Sequence, residues 1–457
     1  MSSYKFVISL LLYCFVCYSQ NTDTIDVYYY QSIVNKIINY GLQEGKAYEM
    51  LEELTSIGPR LSGSIESWKA IKWAEKKMLT LGFENVHIQP VTVPHWIRGQ
   101  VEEAYIVNGK EKLSICALGG SIATSDGGII AEVIEVRSIE ELQQKKEQAK
   151  GKIIFWNRHM DKSKFNQGSA YGEAAFQRTQ GAIEAARVGG LASISRSLTT
   201  AYDDVPHTGV MYYNDSLPKV PAAAISTKSA DYLSQKLKND SHLKVYLKLT
   251  CQTLPDTISA NVIGEIRGTE KPEEIIVLGG HIDSWDKGTG AHDDGAGCVH
   301  VIEALRILKD LNLRPKRTIR AVMFINEENG LRGGNAYAEN LLKSEKHIFA
   351  LESDAGGFTP RGFGITADSI TFEKIRKLES FLKTIDVDRI SKGGGGVDIS
   401  PLGKLGVPTA GLRVDGHKYF DYHHSDNDTV DKVHPRELEL GAIEIAIFVY
   451  LISELGL

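Results

Sequence analysis

The sequence predicts an α/β fold: a mostly parallel mixed sheet flanked by helices, with a small second α/β domain inserted into it. Three observations lead to this prediction. Apolar runs alternate with helical patterns in the last 200 or so residues. The middle of the chain, at about 118–251, has only short strand-like apolar runs. The length of 457 residues exceeds what one hydrophobic core usually organises. We therefore expect a main domain formed by residues 20–117 and 252–457, with the insert at 118–251.

The first 19 residues have the pattern of a secretory signal peptide. Lys5 is followed by an apolar run from Phe6 to Val16, and small residues, Cys17 and Ser19, stand at the two positions that matter for cleavage. A membrane anchor would need a longer apolar run. Residues 1–19 are thus predicted to be removed, which leaves a secreted or periplasmic chain without a membrane span.

Two helical patterns come before the first strands. The segment 21–58 has apolar residues at helical spacing, and Gly58 and Pro59 end the pattern. The segment 67–83 predicts a second, amphipathic helix with apolar residues on one face and lysines on another. In the insert, short apolar runs predict strands at 151–157 and 220–226.

Four apolar runs follow in the last part of the chain, and helical patterns separate or follow them. The runs are "EEIIVLGGH", "RTIRAVMFINEENG", "HIFALESDAGG" and "GVPTAGLRVDG". The helical patterns include "CVHVIEALRILKDLNL" and the final "ELELGAIEIAIFVYLISELGL". Strands that are apolar throughout and alternate with helices are typical of a parallel sheet covered on both faces.

Histidines and carboxylates stand at the end of each of these four runs. The first ends at His281 in "GGHIDSWDKGTGAHDD", the second reaches "EE" at 327–328, the third reaches Asp354, and "YFDYHHSDNDT" follows the fourth. Any one of these patterns alone is typical of a solvated surface or a helix N-terminus. Ligands of open α/β sheets bind beyond the carboxyl ends of the strands, so their convergence there predicts one site.

The residue types at these strand ends favour zinc. Imidazoles and carboxylates without cysteine suit zinc in a hydrolytic site. Two zinc ions need one bridging carboxylate, plus one histidine and one further carboxylate each, and together they activate a water near neutral pH. A nearby carboxylate that binds no metal can take the proton of that water and pass it to a leaving amine. In an extended segment adjacent glutamates point apart, so Glu327 and Glu328 can divide these two roles.

The motifs resemble those of the di-zinc exopeptidase family that includes the bacterial secreted aminopeptidases. The likeness rests on "GGHIDSWDKGTGAHDDGAG", "INEENG", "ESDAG" and "YHHSDNDT". It covers nearly the whole mature chain. It implies a zinc exopeptidase domain with an insert of the protease-associated type. The implied activity is hydrolysis of the N-terminal peptide bond of short peptides, chiefly dipeptides, with two zinc ions per chain.

The resemblance also assigns roles to individual residues. Glu327 is the general base, and Asp283 is the carboxylate behind the metal ligands that tunes the site. The family's last ligand lies four residues before the aspartate of "DT", here Asp428, which favours His424 over the adjacent His423. The implied metal ligands are His281, Asp293, Glu328, Asp354 and His424, with Asp293 bridging both ions.

Other residues look like ligands by composition alone. We interpret Asp294 as a structural residue at a helix start, His292 as lining the site at most, and Asp286 as no ligand. The glycine-rich segment 391–400 is either a loop beside the substrate or a flexible surface loop. The turn "IGPRLSGS" at 57–64 is either structural or packed near the site entrance.

Cys116 and Cys251 bracket the predicted insert. They either form a disulfide where the chain leaves and re-enters the main domain, or remain free thiols together with Cys298.

Composition excludes some partners. A formal net charge of −6 gives no footprint for nucleic acid or an anionic membrane. The expected partner is a small peptide, and the resemblance leaves a homodimer open. Alternatives to the dipeptidase are an aminopeptidase acting on longer peptides, a glutaminyl-cyclase-like acyltransferase with one zinc, and a non-catalytic scaffold like the transferrin receptor.

Overall fold

The computed structural model describes residues 26–387 and 389–457, so the predicted signal segment 1–19 lies outside the described residues. The described chain forms sixteen strands and sixteen α-helices. The strands are β1 Glu84–Ile97, β2 Glu102–Ile106, β3 Glu111–Lys112, β4 Ile115–Ala117, β5 Ile129–Val136, β6 Ile153–Trp156, β7 Ala192–Arg196, β8 Ala222–Ile225, β9 Lys244–Leu249, β10 Gln252–Ile266, β11 Lys271–His281, β12 Arg317–Phe324, β13 Lys346–Glu352, β14 Pro360–Thr366, β15 Arg389–Lys392 and β16 Thr409–Val414.

The helices lie before, between and after these strands. They are α1 Val27–Glu44, α2 Ala47–Thr55, α3 Ile65–Thr80, α4 Ile139–Gln144, α5 Lys146–Ala149, α6 Gln167–Ala174, α7 Phe176–Thr179, α8 Gly181–Arg187, α9 Thr227–Asn239, α10 Ala296–Asp310, α11 Arg332–Glu339, α12 Ser369–Arg376, α13 Glu379–Leu382, α14 Ser400–Lys404, α15 Tyr419–Tyr422 and α16 Pro435–Leu455. The segment predicted as one helical pattern at 21–58 forms two helices, because Gly45 ends α1 in a non-helical conformation.

The main sheet has eight strands in the order β1-β10-β12-β11-β13-β16-β14-β15. Its four central strands, β12, β11, β13 and β16, run parallel to one another. On one side β10 pairs antiparallel with β12 and β1 antiparallel with β10, and on the other β14 pairs antiparallel with β16 and parallel with β15. These central strands are the four apolar runs of the sequence. The predicted fold, a mostly parallel mixed sheet flanked by helices, is therefore confirmed.

Helices cover both faces of this sheet. The larger core lies under α1, α2, α3, α10 and α16, where Ile302, Leu305 and Phe448 are fully buried. On the other face, α11 and α14 pack against β10 to β13 through Tyr337 and Leu402. The hydrophobic effect thus fixes the sheet from both sides, and the carboxyl ends of the parallel strands are held at one edge.

A second eight-stranded sheet has the order β3-β2-β9-β5-β6-β7-β8-β4. Its centre, β5 to β8, is parallel, and all of its strands lie between residues 102 and 249. The predicted boundary at residue 118 differs from this pairing. Strands β2 to β4, at 102–117, belong to the second sheet and not to the main one: β2 pairs with β9, β3 with β2, and β4 with β8. These strands are too short to carry a recognisable alternating pattern, so the sequence did not reveal them.

None of the three cysteines among the described residues forms a disulfide. Cys116, Cys251 and Cys298 are all buried and free. Cys116 belongs to the apolar cluster on one face of the second sheet, and Cys251 belongs to the cluster on the other face. The disulfide hypothesis is therefore wrong for this structure, because the two thiols point to opposite sides of the sheet.

The last helix carries a buried acid in apolar surroundings. Glu444 is fully buried, and neither carboxylate oxygen has a hydrogen-bond partner among the described residues. Burial raises its pKa well above the ordinary value of 4.5.

Among the described residues, no helix combines the length and the apolar character that a membrane span needs, and this includes α16.

We expect Glu444→Met to raise the free energy of unfolding by about 1–3 kcal/mol at pH 8. A carboxyl with a raised pKa in the folded state contributes stability below its unfolded pKa and loses that contribution as the pH rises. The gain should therefore be small near pH 4.5 and grow toward pH 8. Urea unfolding at several pH values measures it, with the partly exposed Glu437→Met as control. A variant less stable than the parent at every pH would contradict this account.

Candidate metal centre

Four elements bring the predicted site residues to one edge of the main sheet. His281 is the last residue of β11, Glu327 and Glu328 follow β12, and Asp354 follows β13. These three strands are adjacent and parallel, so their carboxyl ends meet. His424 arrives from the loop after α15. The convergence expected from the sequence is therefore present.

One half of the cluster surrounds His281, which is fully buried. Its Nε2 lies 3.2 Å from Oδ1 of Asp293, 3.6 Å from Oδ1 of Asp354 and 4.0 Å from Oε2 of Glu327. The Nδ1 atom of His281 lies 3.0 Å from the carbonyl oxygen of Asp283, which fits a proton on Nδ1. The free Nε2 then points at the carboxylates, as in a metal-binding imidazole.

The other half surrounds His424. Its Nε2 lies 3.0 Å from Oε2 of Glu328 and 3.3 Å from Oδ2 of Asp293. Asp293 thus offers one oxygen to each histidine and is shared by both halves. Donor atoms of His281, Asp293 and Glu328 all lie within 4.8 Å of one another, as metal ligands must.

His423 is the neighbour that sequence reasoning had to distinguish from His424. Its Nε2 lies 3.6 Å from Oδ2 of Asp293, and the two imidazole rings stack at 3.5 Å. Only His424 also contacts Glu328. Its Nδ1 lies 3.3 Å from the carbonyl oxygen of Thr208, which leaves Nε2 free to face the carboxylates. These contacts favour His424 as the ligand.

The charges and the burial of the side chains in this cluster suit a bound cation. Nε2 of His281, Oδ2 of Asp293 and Oδ1 of Asp354 are buried and have no hydrogen-bond partner among the described residues. Burial lowers the pKa of His424, but Glu328 and Asp293 outweigh it and raise that pKa to about 10. Burial, with Asp293, raises the pKa of Glu328 to about 7. So many acidic groups in one buried place require positive charge, from protons or from metal ions.

Asp283 holds the loop that carries Glu327. Its Oδ1 accepts hydrogen bonds from the backbone N–H groups of Asn326 at 2.8 Å and Glu327 at 3.2 Å, and its Oδ2 accepts from the hydroxyl of Ser62 at 2.8 Å. The sequence places this carboxylate behind His281, and its Oδ1 lies 3.9 Å from Nδ1 of the imidazole, while the Asp283 carbonyl oxygen makes the shorter contact at 3.0 Å. The carboxylate itself fixes the direction of Glu327.

The turn at 57–64 contributes residues that sequence reasoning missed. Arg60 is fully buried and donates hydrogen bonds to the carbonyl oxygens of Ile282, Thr289 and Gly290. It thereby holds both ends of the loop between His281 and Asp293. An arginine between a proline and a leucine in a turn was the only signal, and sequence alone does not show which carbonyls it meets.

Two aspartates of the motif "GGHIDSWDKGTGAHDD" have structural roles. Asp286 pairs with Arg98, at 2.8 Å from Nε to Oδ2. Asp294 accepts hydrogen bonds from the backbone N–H groups of Gly297 and His281, at 2.9 and 3.0 Å. A carboxylate oxygen of Asp294 also lies within 4.8 Å of the potential metal-binding atoms of His281 and Asp354. The two backbone hydrogen bonds, however, occupy both oxygens of Asp294 at the start of α10.

His292 is a buried residue whose ring packs against aromatic side chains. Its ring stacks on Phe358 at 4.2 Å and on Tyr422 at 5.3 Å. Burial lowers its pKa to about 4, so the imidazole is neutral at physiological pH.

A cavity of about 970 Å³ opens beside the cluster. It includes Asp354 and the glycine-rich segment that the sequence leaves as either a substrate-side or a surface loop. Gly394, Gly395 and Gly396 form part of its wall, and the N–H groups of Val397 and Ile399 bond to the buried Glu352. The segment 391–400 therefore lines a cavity next to the potential metal-binding side chains, which is the position that a loop beside the substrate needs.

Comparison with known proteins identifies the family. A family model described as peptidase family M28 matches residues 261–447. Carboxypeptidase Q from Mus musculus is 37% identical over 431 residues, which cover 93% of this chain and 90% of that relative. The chain belongs to peptidase family M28. The M28 match spans every strand of the site, and the longer relative spans the insert as well.

Solved structures agree with this family. A peptidase M28 precursor from Shewanella amazonensis has a TM-score of 0.89 and 36% identity, and the match covers 93% of this chain and 97% of that one. BSAP, a zinc aminopeptidase from Bacillus subtilis, has a TM-score of 0.66 at 20% identity, and the match covers 90% of this chain and 95% of that one, which shows a shared fold.

Proposed function

We propose that this chain is a secreted zinc-dependent exopeptidase that hydrolyses the N-terminal peptide bond of short peptides, chiefly dipeptides. One observation carries the proposal. The carboxylate of Asp293 is shared between a half with His281 and Asp354 and a half with His424 and Glu328. Two adjacent cation sites with one bridging carboxylate are the arrangement that two-metal hydrolysis needs.

The donor set fits two zinc ions. Nitrogen and carboxylate donors are those that zinc prefers in hydrolytic sites, and the cluster contains no thiolate. His281 and Asp354 would hold one ion, Glu328 and His424 the other, and Asp293 both. When bound, zinc supplies Lewis-acid activation of a water molecule and of the scissile carbonyl.

Glu327 is the residue of this chain that moves the proton. Its side chain is 18% exposed, whereas that of Glu328 is 2% exposed, so Glu327 alone of the pair faces the open side. Burial raises the pKa of the Glu327 carboxyl well above 4.5, and its position on the open side lets the carboxylate act as a general base. It takes a proton from the attacking water and gives it to the leaving amine.

Asp283 should matter for rate more than for metal binding. We expect Asp283→Asn to lower kcat by about 10- to 100-fold, because an amide cannot accept from both N–H groups and Ser62 in the same way. Steady-state kinetics with zinc content measured on the same samples tests this. Ser62→Ala, which removes one of the three bonds, should cost less. Equal losses in both variants, or full activity in Asp283→Asn, would contradict the role.

Substrate length distinguishes the proposal from its nearest alternative. Carboxypeptidase Q, as a relative over nearly the whole chain, supports action on short peptides. The Bacillus subtilis aminopeptidase shares only the fold. The test is hydrolysis of a panel of dipeptides, their N-terminally blocked forms and longer peptides, with and without chelator. Dipeptides should be cleaved best, blocked forms and chelated samples hardly at all. Chelator-resistant activity would refute the mechanism, and preference for long peptides would favour a broader aminopeptidase.

The remaining parts of the proposal concern the chain as a whole. Residues 1–19 would direct export to the periplasm or the exterior, and the second sheet would be a protease-associated-type insert within the exopeptidase domain. A homodimer is compatible with this architecture. Mass measurement of the mature protein's N-terminus tests export processing: an N-terminus at Gln20 is expected, and an intact Met1 in exported material would contradict it.

A further inference from the structure

The two halves of the metal cluster are held by different parts of the chain. In the half with His281 and Asp354, Nδ1 of His281 donates to the carbonyl oxygen of Asp283, and the backbone N–H of His281 donates to Oδ2 of Asp294, both at 3.0 Å. Among the described residues, no hydrogen bond links His281 or Asp354 to residues 102–249, which form the second sheet. The hydrogen bonds that orient His281 therefore come from the main domain.

The half with His424 is held from the second sheet, by the segment 205–210 between β7 and β8. Thr208 donates its N–H to the carbonyl oxygen of His424 at 2.9 Å, and its own carbonyl oxygen lies 3.3 Å from Nδ1 of the same imidazole. Nδ1 of His207 lies 2.7 Å from the carbonyl oxygen of His423. Because a carbonyl oxygen can only accept, this nitrogen of His207 is the donor. Three hydrogen bonds thus join the second sheet to two consecutive residues beside the metal cluster.

These hydrogen bonds act on an unusual backbone conformation. His424 has a φ of +60°, in the left-handed region that residues with a Cβ atom rarely adopt. Such a conformation persists only where the surrounding structure holds it. The bonds from the segment 205–210 do so, and Nε2 of His424 then faces Glu328 and Asp293. His207 is only 2% exposed, so water does not compete for its bond.

The second sheet also reaches Glu328, through Trp285. The backbone N–H of Trp285 donates to Oε1 of Glu328 at 3.1 Å. The indole of Trp285 belongs to an apolar cluster of the second sheet, and it lies against Gly119, where a Cβ atom would overlap the ring. Its ring centroid is 5.8 Å from that of His424. The packing of Trp285 in the second sheet therefore positions the N–H group that binds Glu328.

We propose that the second sheet selectively completes the zinc site formed by His424 and Glu328, with His207 as a positioning residue. The inference rests on the proposed two-zinc function. Residues that orient metal ligands typically change metal affinity by about 10- to 100-fold. Because the contacts of the second sheet reach only this half, their loss weakens the binding of one ion and leaves the other ion bound as before. The second sheet is thus part of the metal centre and not a separate module.

The experiment measures the affinity for each zinc ion. His207→Leu removes the donor to the carbonyl of His423, whereas His207→Asn places an amide N–H near the position of Nδ1. Titration with zinc against a competing chelator gives one dissociation constant for each ion. In His207→Leu one ion should bind about 10- to 100-fold more weakly and the other as in the wild type. His207→Asn should recover most of this loss. His242→Leu is the matched control, since His242 precedes β9 and its side chain is 79% exposed.

Ligand variants identify the ion that is affected. Added to Glu328→Gln, His207→Leu should not weaken the remaining ion, because the site that His207 supports has already lost its glutamate. Added to Asp354→Asn, it should weaken the remaining ion by the same about 10- to 100-fold. A general loss of stability would act alike in both backgrounds, so the difference between them reports positioning.

A second substitution perturbs the same half from another direction. Gly119→Ala displaces the indole of Trp285 and should weaken the same ion in the same titration. Gly127→Ala is its matched control, because a Cβ atom added at this exposed glycine meets no atom within 4 Å. Circular dichroism checks the fold of each variant, and Gly119→Ala decides the question if His207→Leu does not fold.

The outcomes separate this inference from the proposed function. Wild-type affinity for both ions in folded His207→Leu, or equal weakening of both, would overturn the inference and leave the two-zinc function intact. Further weakening of the remaining ion in the Glu328→Gln background would also overturn it, since His207 would then act on the other site. Fewer than two zinc ions in the wild type would instead refute the proposed function itself.

Discussion

Glu327→Gln is expected to lower kcat by about 100- to 10,000-fold while two zinc ions remain bound. The amide keeps the size and the backbone bonds to Asp283, but it cannot take a proton from the attacking water. Glu327 is not one of the five residues that would hold the ions, and its Oε2 lies 4.0 Å from Nε2 of His281. Stopped assays with a dipeptide and elemental analysis for zinc on the same samples measure both quantities.

The adjacent glutamate supplies the matched control. Glu328→Gln removes a charged partner that lies 3.0 Å from Nε2 of His424, so it should reduce zinc content as well as rate. The two neighbouring substitutions therefore differ in their effect on metal. Full activity in Glu327→Gln would remove it from the role of base, and loss of zinc in that variant would make it a ligand instead.

Asp293→Asn is expected to have the largest effect on the metal centre. Its carboxylate approaches His281 at 3.2 Å and His424 at 3.3 Å, and an amide has only one oxygen to offer to two cations. Zinc content should fall to one ion or fewer per chain, and kcat/KM should fall at least about 1000-fold. Elemental analysis and dipeptide kinetics measure these changes.

A control for the loss of a negative charge is Asp426→Asn. Asp426 is 58% exposed and belongs to the same motif as His424 without facing the cluster. The Asp426→Asn variant should bind two zinc ions and keep the activity of the wild type. Two zinc ions in Asp293→Asn with unchanged kinetics would show that the shared carboxylate is not the bridge.

The central strands and the convergence of the site were predictable because both depend on local pattern and one topological rule. Runs such as "EEIIVLGGH" are apolar on both faces, which only a covered parallel strand explains well. Once the strands are parallel, His281 and Asp354 must meet at one edge. The distances from His281 to Asp293 and Asp354 agree with that expectation.

The contacts by which residues distant in sequence hold the site residues in place were not predictable. Arg60 and Thr208 act through backbone carbonyl groups far away in sequence, and no residue type marks such an acceptor. The same reason explains the missed start of the second sheet at residue 102, where strand pairing depends on backbone register.

The zinc content of the purified mature protein tests the central claim most directly. Elemental analysis of metal-saturated, gel-filtered protein should give two zinc ions per chain, in proportion to dipeptide hydrolysis as zinc is titrated back after chelation. The shared position of Asp293 between His281 and His424 requires that number. One ion per chain would favour a glutaminyl-cyclase-like site. None would favour a non-catalytic scaffold, and either result would contradict the two-zinc account.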